Sequence, residues 1–387
     1  MDGITVSTDG ISALYAGGGS PAVSLYLPLD DEGGREHAEA LLAGLVDQAL
    51  EKLSQERDRR EYVGIASRLE HLAGHPDQAL GGGAARGLAV LADNDSTRVV
   101  QLGYHVEPRA VVGEGFYLAP LVRHFQYGSH YFLLGLSADR FAFIRGDAVS
   151  LRRVDPPADV LDEFSEEFPL VYDGHEGALD YSSLENHLPP YHGWKSRNDV
   201  KKEEAEKFFR HVNKAVTEHL AKGTGLPVIL VSLPEHQAAF RRISTVPHLL
   251  DEGILKDVGG LEAPELLGDA LAVIGRARAA HAAELLEAYG DAAAHGKATS
   301  DLAAIGMALA ERRVRALFLA EGAYVPGGFD EATGEVSLFE REPHGRFQGP
   351  ELADGFARAA FAQDAEVLEL PADQVPADTG IAALFRY

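Results

Sequence analysis

His192-Gly193-Trp194-Lys195-Ser196-Arg197 gathers, within six residues, an imidazole, the only tryptophan of the chain, a hydroxyl and two cations. Such a set can hold RNA or a nucleotide, because an indole offers a face on which a base stacks while lysine and arginine reach phosphates. Lys201 and Lys202 follow closely and extend the positive field. Six of the nine lysines fall between Lys195 and Lys222; with Arg197, Arg210 and five acids, the stretch 192–222 is net +3 in a chain of net charge −25. A local basic segment in so acidic a protein needs a local cause. His192 and Ser196 are the residues there that could act as base or nucleophile, although nothing at a fixed spacing selects them. The structural alternative is that Trp194 packs beneath the loop and the lysines solvate the helix after it.

That helix must position the loop. Phe208, Val212, Ala215 or Val216, and His219 or Leu220 recur at helical spacing, so one face is apolar and charged residues cover the other. Asn198 as N-cap and Asp199 in the first turn predict where the helix begins. The stretch 191–198 then projects from a helix N-terminus, whose free N–H groups favour an anion.

Other motifs are weaker. Gly135-Leu-Ser137-Ala-Asp139 approaches the G-x-S-x-G nucleophile elbow, but its fifth residue is Asp and a strand follows, so a hairpin turn is the better reading. Gly290 to Thr299 approaches a P-loop, with one residue too many between its glycines and Ala298 where a hydroxyl should reach magnesium. His175, His187 and His192 share a region with Asp173, Glu176 and Glu185 without the spacing that sets two ligands on one helical face. His71 and His75 have that spacing, but Gly74 and Pro76 end their helix. No metal and no cofactor is predicted.

Composition bounds the rest. A chain of 387 residues exceeds one ordinary core, and 45% apolar with 25% charged residues is the balance of a globular protein. The absence of cysteine excludes disulfides and thiolate metal sites. Sixty acids against 35 basic residues argue against broad adhesion to nucleic acid, DNA included, so any RNA contact must be local. With no signal peptide pattern and no long apolar run, a cytoplasmic protein without membrane contact is expected.

The pattern predicts an α/β chain of three layered mixed domains, 1–126, 127–257 and 258–387. In the first, strands are expected at 21–29, 87–91, 97–102 and 116–121, with helices at 35–53 and 60–72. The second opens on a hairpin, HYFLLGLSADRFAFIRGD (130–147), and continues through the basic loop and helix to LPVILVSL (226–233). That near-continuous apolar run suits a strand covered on both faces. The third carries helices at 264–289, 299–312 and 351–362 and strands at 314–320 and 365–370, then the terminal IAALFRY.

The order of these segments resembles the bacterial branch of the archaeo-eukaryotic peptide-chain release factor and Pelota superfamily. The hairpin, HGWKSRNDVKKEEAEKFFRHVNKAV and LPVILVSL are similar to that superfamily's middle domain, RRVRALFLAEGA and GIAALFRY to its last. The resemblance implies a ribonuclease-H-like middle domain, a last domain like kink-turn RNA-binding proteins, and the ribosome or tRNA as partner. In release factors of this superfamily the projecting loop carries Gly-Gly-Gln, which helps water attack peptidyl-tRNA. Residues 192–197 lack that glutamine, as Pelota-like members do. The expected function is therefore an accessory factor in rescue, quality control or dormancy rather than a codon-reading terminator. His192, Gly193, Trp194, Lys195, Ser196, Arg197, Lys201 and Lys202 form the expected RNA contact. Two alternatives stand beside it: a hydrolase of peptidyl-tRNA or another RNA-linked ester using His192 or Ser196, and an acidic interaction module that kept the fold without the RNA role.

Overall fold

The computed structural model describes residues 14, 19–29, 33–80, 85–158, 160–163, 197–257, 265–339 and 351–387, with backbone alone for 197–203. It is a mixed α/β protein in two compact units, one of residues 130–277 and one combining 1–129 with 278–387.

The N-terminal part of the combined unit is a four-stranded antiparallel sheet. Its elements are β1 (Ala22–Pro28), α1 (Gly34–Glu56), α2 (Val63–Gly74), β2 (Gly87–Ala92), β3 (Thr97–Leu102) and β4 (Arg109–Gly113), with strand order β3-β2-β1-β4. The two-residue period of β1 sorts its side chains cleanly. Val23, Leu25 and Leu27 meet Leu42, Leu45, Leu53, Ile65 and Leu69 of the helices, while Ala22 and Tyr26 face Leu102, Phe116 and Leu121. The strand expected at 116–121 does not form. Pro120 cannot donate to a ladder, and the chain instead folds inward through a 3₁₀ turn at Ala119–Leu121 before the short α3 (Val122–Phe125). The fourth strand is β4, whose short RAVVG run the sequence reading passed over.

The middle unit contains β5 (Tyr131–Leu136), β6 (Phe141–Gly146), β7 (Leu151–Val154), α4 (Arg197–Ala215), β8 (Val228–Val231) and α5 (Pro234–Ile243), and takes in the first half of α6 (Leu266–Ala293). Its sheet runs β7-β6-β5-β8, antiparallel except for the parallel β5–β8 pair. Both faces of β8 are covered, as its unbroken apolar sequence requires. Val228 and Leu230 face Phe208, Val212 and Phe240 of α4 and α5, whereas Ile229 and Val231 face Leu266, Ala270 and Ile274 of α6.

The C-terminal part adds β9 (Ala298–Thr299), α7 (Leu302–Ala310), β10 (Val314–Ala320), β11 (Gly327–Phe329), β12 (Val336–Leu338), α8 (Leu352–Phe361), β13 (Glu366–Leu370) and β14 (Ile381–Phe385). The order β13-β10-β14-β9 makes a second four-stranded sheet, with β10 and β13 parallel. A register shift between Val314 and Ala316 lets exposed Arg315 bulge out, so Val314 shares a face with Leu317 and Leu319 despite the odd spacing. The later half of α6 covers the opposite face through Ala282, Leu285 and Tyr289.

Candidate nucleic-acid interface

The platform for the basic segment is α4. Its core face buries Ala205, Phe208, Phe209, Val212, Ala215 and Val216, which anchors the helix on the sheet as the spacing predicts. At its end the backbone loosens into a π-helical turn over Val216–Leu220, where the Ala221 N–H reaches back to the Val216 carbonyl at 2.8 Å. The extra residue keeps Ala221 on the buried side after the regular period has run out. Polar contacts also fix the helix laterally. His211 Nε2 donates to the Leu161 carbonyl at 2.9 Å, and Asn213 Oδ1 accepts the Thr245 N–H at 2.7 Å.

The helix already includes Arg197 where the described residues resume, so Asn198 lies within it rather than capping it. Arg197, Lys201 and Lys202 are therefore all on α4, on its N-terminal turns; their side chains lie outside the described residues. His192, Gly193, Trp194, Lys195 and Ser196 lie outside the described residues altogether, as do His175, His187 and the carboxylates near them.

The described part of α4 adds cations that the sequence reading left out of the site. Lys207, Arg210 and Lys214 are exposed and recur at steps of three and four, so they share one solvent-facing stripe, bracketed by exposed Glu204 and Glu218. The signal was present in that spacing, opposite to Phe208 and Val212. His211 adds no charge to it, because burial lowers its pKa against the opposing effect of the Leu161 carbonyl, with Lys214 lowering it further. A row of lysine and arginine on a rigid helix suits contact with a phosphate backbone, which is read by charge rather than by shape.

The other motifs resolve into structure. Ser137 Oγ donates to Asp139 Oδ1 at 2.7 Å and accepts the Arg140 N–H at 3.2 Å, closing the β5–β6 turn. His71 and His75 stack at 4.4 Å where α2 ends. Residues 290–299 join α6 to β9. Among the described residues no three metal-binding side chains gather, and no helix is long and apolar enough to cross a membrane.

No curated protein matches the chain. Among solved structures, an archaeal translation termination factor, aRF1, is 13% identical over 99% of both chains with a TM-score of 0.25. S. cerevisiae Dom34, described as a translation termination-like factor involved in RNA quality control pathways and interacting with Hbs1, is 13% identical, covering 82% of this chain and 78% of its own, with a TM-score of 0.35. Archaeal Pelota, from a model of ribosome-bound Pelota and ABCE1, is 10% identical over 78% of each chain with a TM-score of 0.37. The family model described as bacterial archaeo-eukaryotic release factor family 8 matches residues 128–282, which contain the whole β5–β8 sheet and α4. Residues 128–282 of this chain are thus similar to bacterial archaeo-eukaryotic release factor family 8.

Proposed function

We propose that the chain is a release-factor-like accessory factor that engages the ribosome or tRNA in rescue, quality control or dormancy, and does not read codons. The observation that carries this reading is the family match over 128–282, since the same stretch holds the basic segment of an otherwise acidic chain. In this reading the chain works as three domains, 1–126, 127–257 and 258–387, in the cytoplasm. His192 to Arg197 approach RNA, Lys201 and Lys202 support them, and Lys207, Arg210 and Lys214 continue the track along α4. Without the Gly-Gly-Gln glutamine, the factor acts by occupancy rather than by hydrolysis.

Co-sedimentation of the full chain with ribosomes from growing and from starved cells, at low and moderate salt, tests this. The expected result is association that weakens with salt and is weaker in Lys195→Glu/Arg197→Glu, with a salt slope about one unit shallower for each phosphate contact removed. Salt-insensitive binding, or binding unchanged in the double variant, removes the loop from the account. The net charge of −25 favours the acidic interaction module as the second reading, and absence of association in either ribosome pool selects it.

A further inference from the structure

Within the combined unit, residues 104–126 of the N-terminal part meet α8 and β13 of the C-terminal part through two buried carboxyl groups, Glu351 and Asp354, and a half-buried one, Glu369. Glu351 is 4% exposed and Asp354 7%. The Tyr117 hydroxyl donates to Glu351 Oε2 at 3.1 Å and accepts from Arg109 Nη1 at 2.9 Å. The Leu118 N–H donates to Asp354 Oδ1 at 2.7 Å, and Arg358 Nη2 stands 3.5 Å from both Asp354 Oδ2 and the Phe116 carbonyl oxygen. Glu351 Oε1 is buried and, among the described residues, has no hydrogen-bond partner. On the next strand, the Glu369 N–H donates to Gln126 Oε1 at 3.0 Å, and the carboxyl of Glu369 lines a cavity of about 290 Å³ with Tyr104, Arg123 and Glu321. A second cavity, of about 620 Å³, reaches Glu351 and Asp354 from the side of α1 and β4.

A buried carboxylate that lacks a full set of donors is costly, whereas the neutral acid is not. We propose that this junction is a proton-operated clasp, closed on neutral carboxyls and opened when they ionise, which frees the 116–126 segment from α8 and β13.

The groups around each carboxyl fix the sign. Burial, then Asp354, raise Glu351 to about 7, against Tyr117, the Ala353 amide and Arg109. Burial raises Asp354 against Arg358 and the amides of Leu118 and Ala119. Burial raises Glu369 to about 7, with Arg123 opposing and Glu321 adding, while Arg123 also faces Tyr104 and Arg278. An opened junction returns these acids to ordinary carboxylate values. The closed form is therefore fully favoured below about pH 4.5 and weakens as pH rises to about 7 and beyond.

Hydrogen exchange on the full chain, corrected for intrinsic rates, tests the clasp at the Leu118 and Glu369 amides. Between pH 6 and pH 8 their protection should fall about tenfold for each of Glu351 and Glu369, about a hundredfold if both titrate with one opening. Amides of β8, in the other unit, should not share the fall. Glu369→Gln should leave the Glu351 part alone, and Glu351→Gln/Glu369→Gln should shrink the fall to what Asp354 alone contributes. Equal protection at pH 6 and pH 8 in the unaltered chain overturns the proposal without any variant. An equal fall in β8, or an unchanged fall in the double variant, overturns it as well.

Discussion

Tyr131 lies across from Gly146 in the β5–β6 pair, and a Cβ on that glycine would stand 2.3 Å from the tyrosine ring. The ring is fully buried, so it has no free space into which to move. Gly146→Ala should therefore cost about 1–3 kcal/mol, read as a lower denaturation midpoint at unchanged slope. A midpoint equal to that of the unaltered chain would mean that the ring shifts at no cost. At this scale the sequence showed residue types but not meetings. His192 to Arg197 announced themselves by an unusual mixture in six residues. Tyr117 and Glu351 stand 234 positions apart, and no local spacing relates a tyrosine in a turn to a glutamate before a helix.

At the scale of elements, the apolar period carried most of the reading, because helices and strands bury faces whose spacing is fixed by geometry. β3 and β10 lie at the expected residues, and the helices at 34–56, 63–74 and 352–361 are displaced by only a few. Failures came where another force outweighed the pattern. Phe116, Leu118 and Leu121 are apolar because a loop folds into the core there, and Pro120 bars a strand. α5 shows the converse, with Pro234 placed in its first turn, where no N–H is needed. The anchoring of α4 makes its own prediction. Phe208 is fully buried against the sheet, so Phe208→Ala should cost about 3–5 kcal/mol in chemical denaturation and weaken any ribosome association that depends on the helix. A loss of stability below 1 kcal/mol would mean that α4 is not held by this face.

At the scale of the whole molecule, charge dominates. A net charge of −25 places the compact state under self-repulsion that dissolved salt relieves. The melting temperature should rise by a few degrees between about 10 mM and 150 mM monovalent salt at neutral pH. A fall over that range would mean that local ion pairs such as Arg276–Glu252, at 2.6 Å, outweigh the global repulsion.

The division into two units also bears on how the chain is made. Residues 1–129 leave the synthesising ribosome first, yet their partners in the same unit begin at residue 278. At about 5–20 residues per second, the intervening stretch takes on the order of 7 to 30 s to emerge. Throughout that interval the N-terminal sheet can fold, but Tyr117 and the Leu118 amide lack the acceptors that will later bury them. The nascent protein thus carries a half-built seam, with Phe116, Leu121 and Phe125 at its margin, until the last hundred residues arrive to cover it.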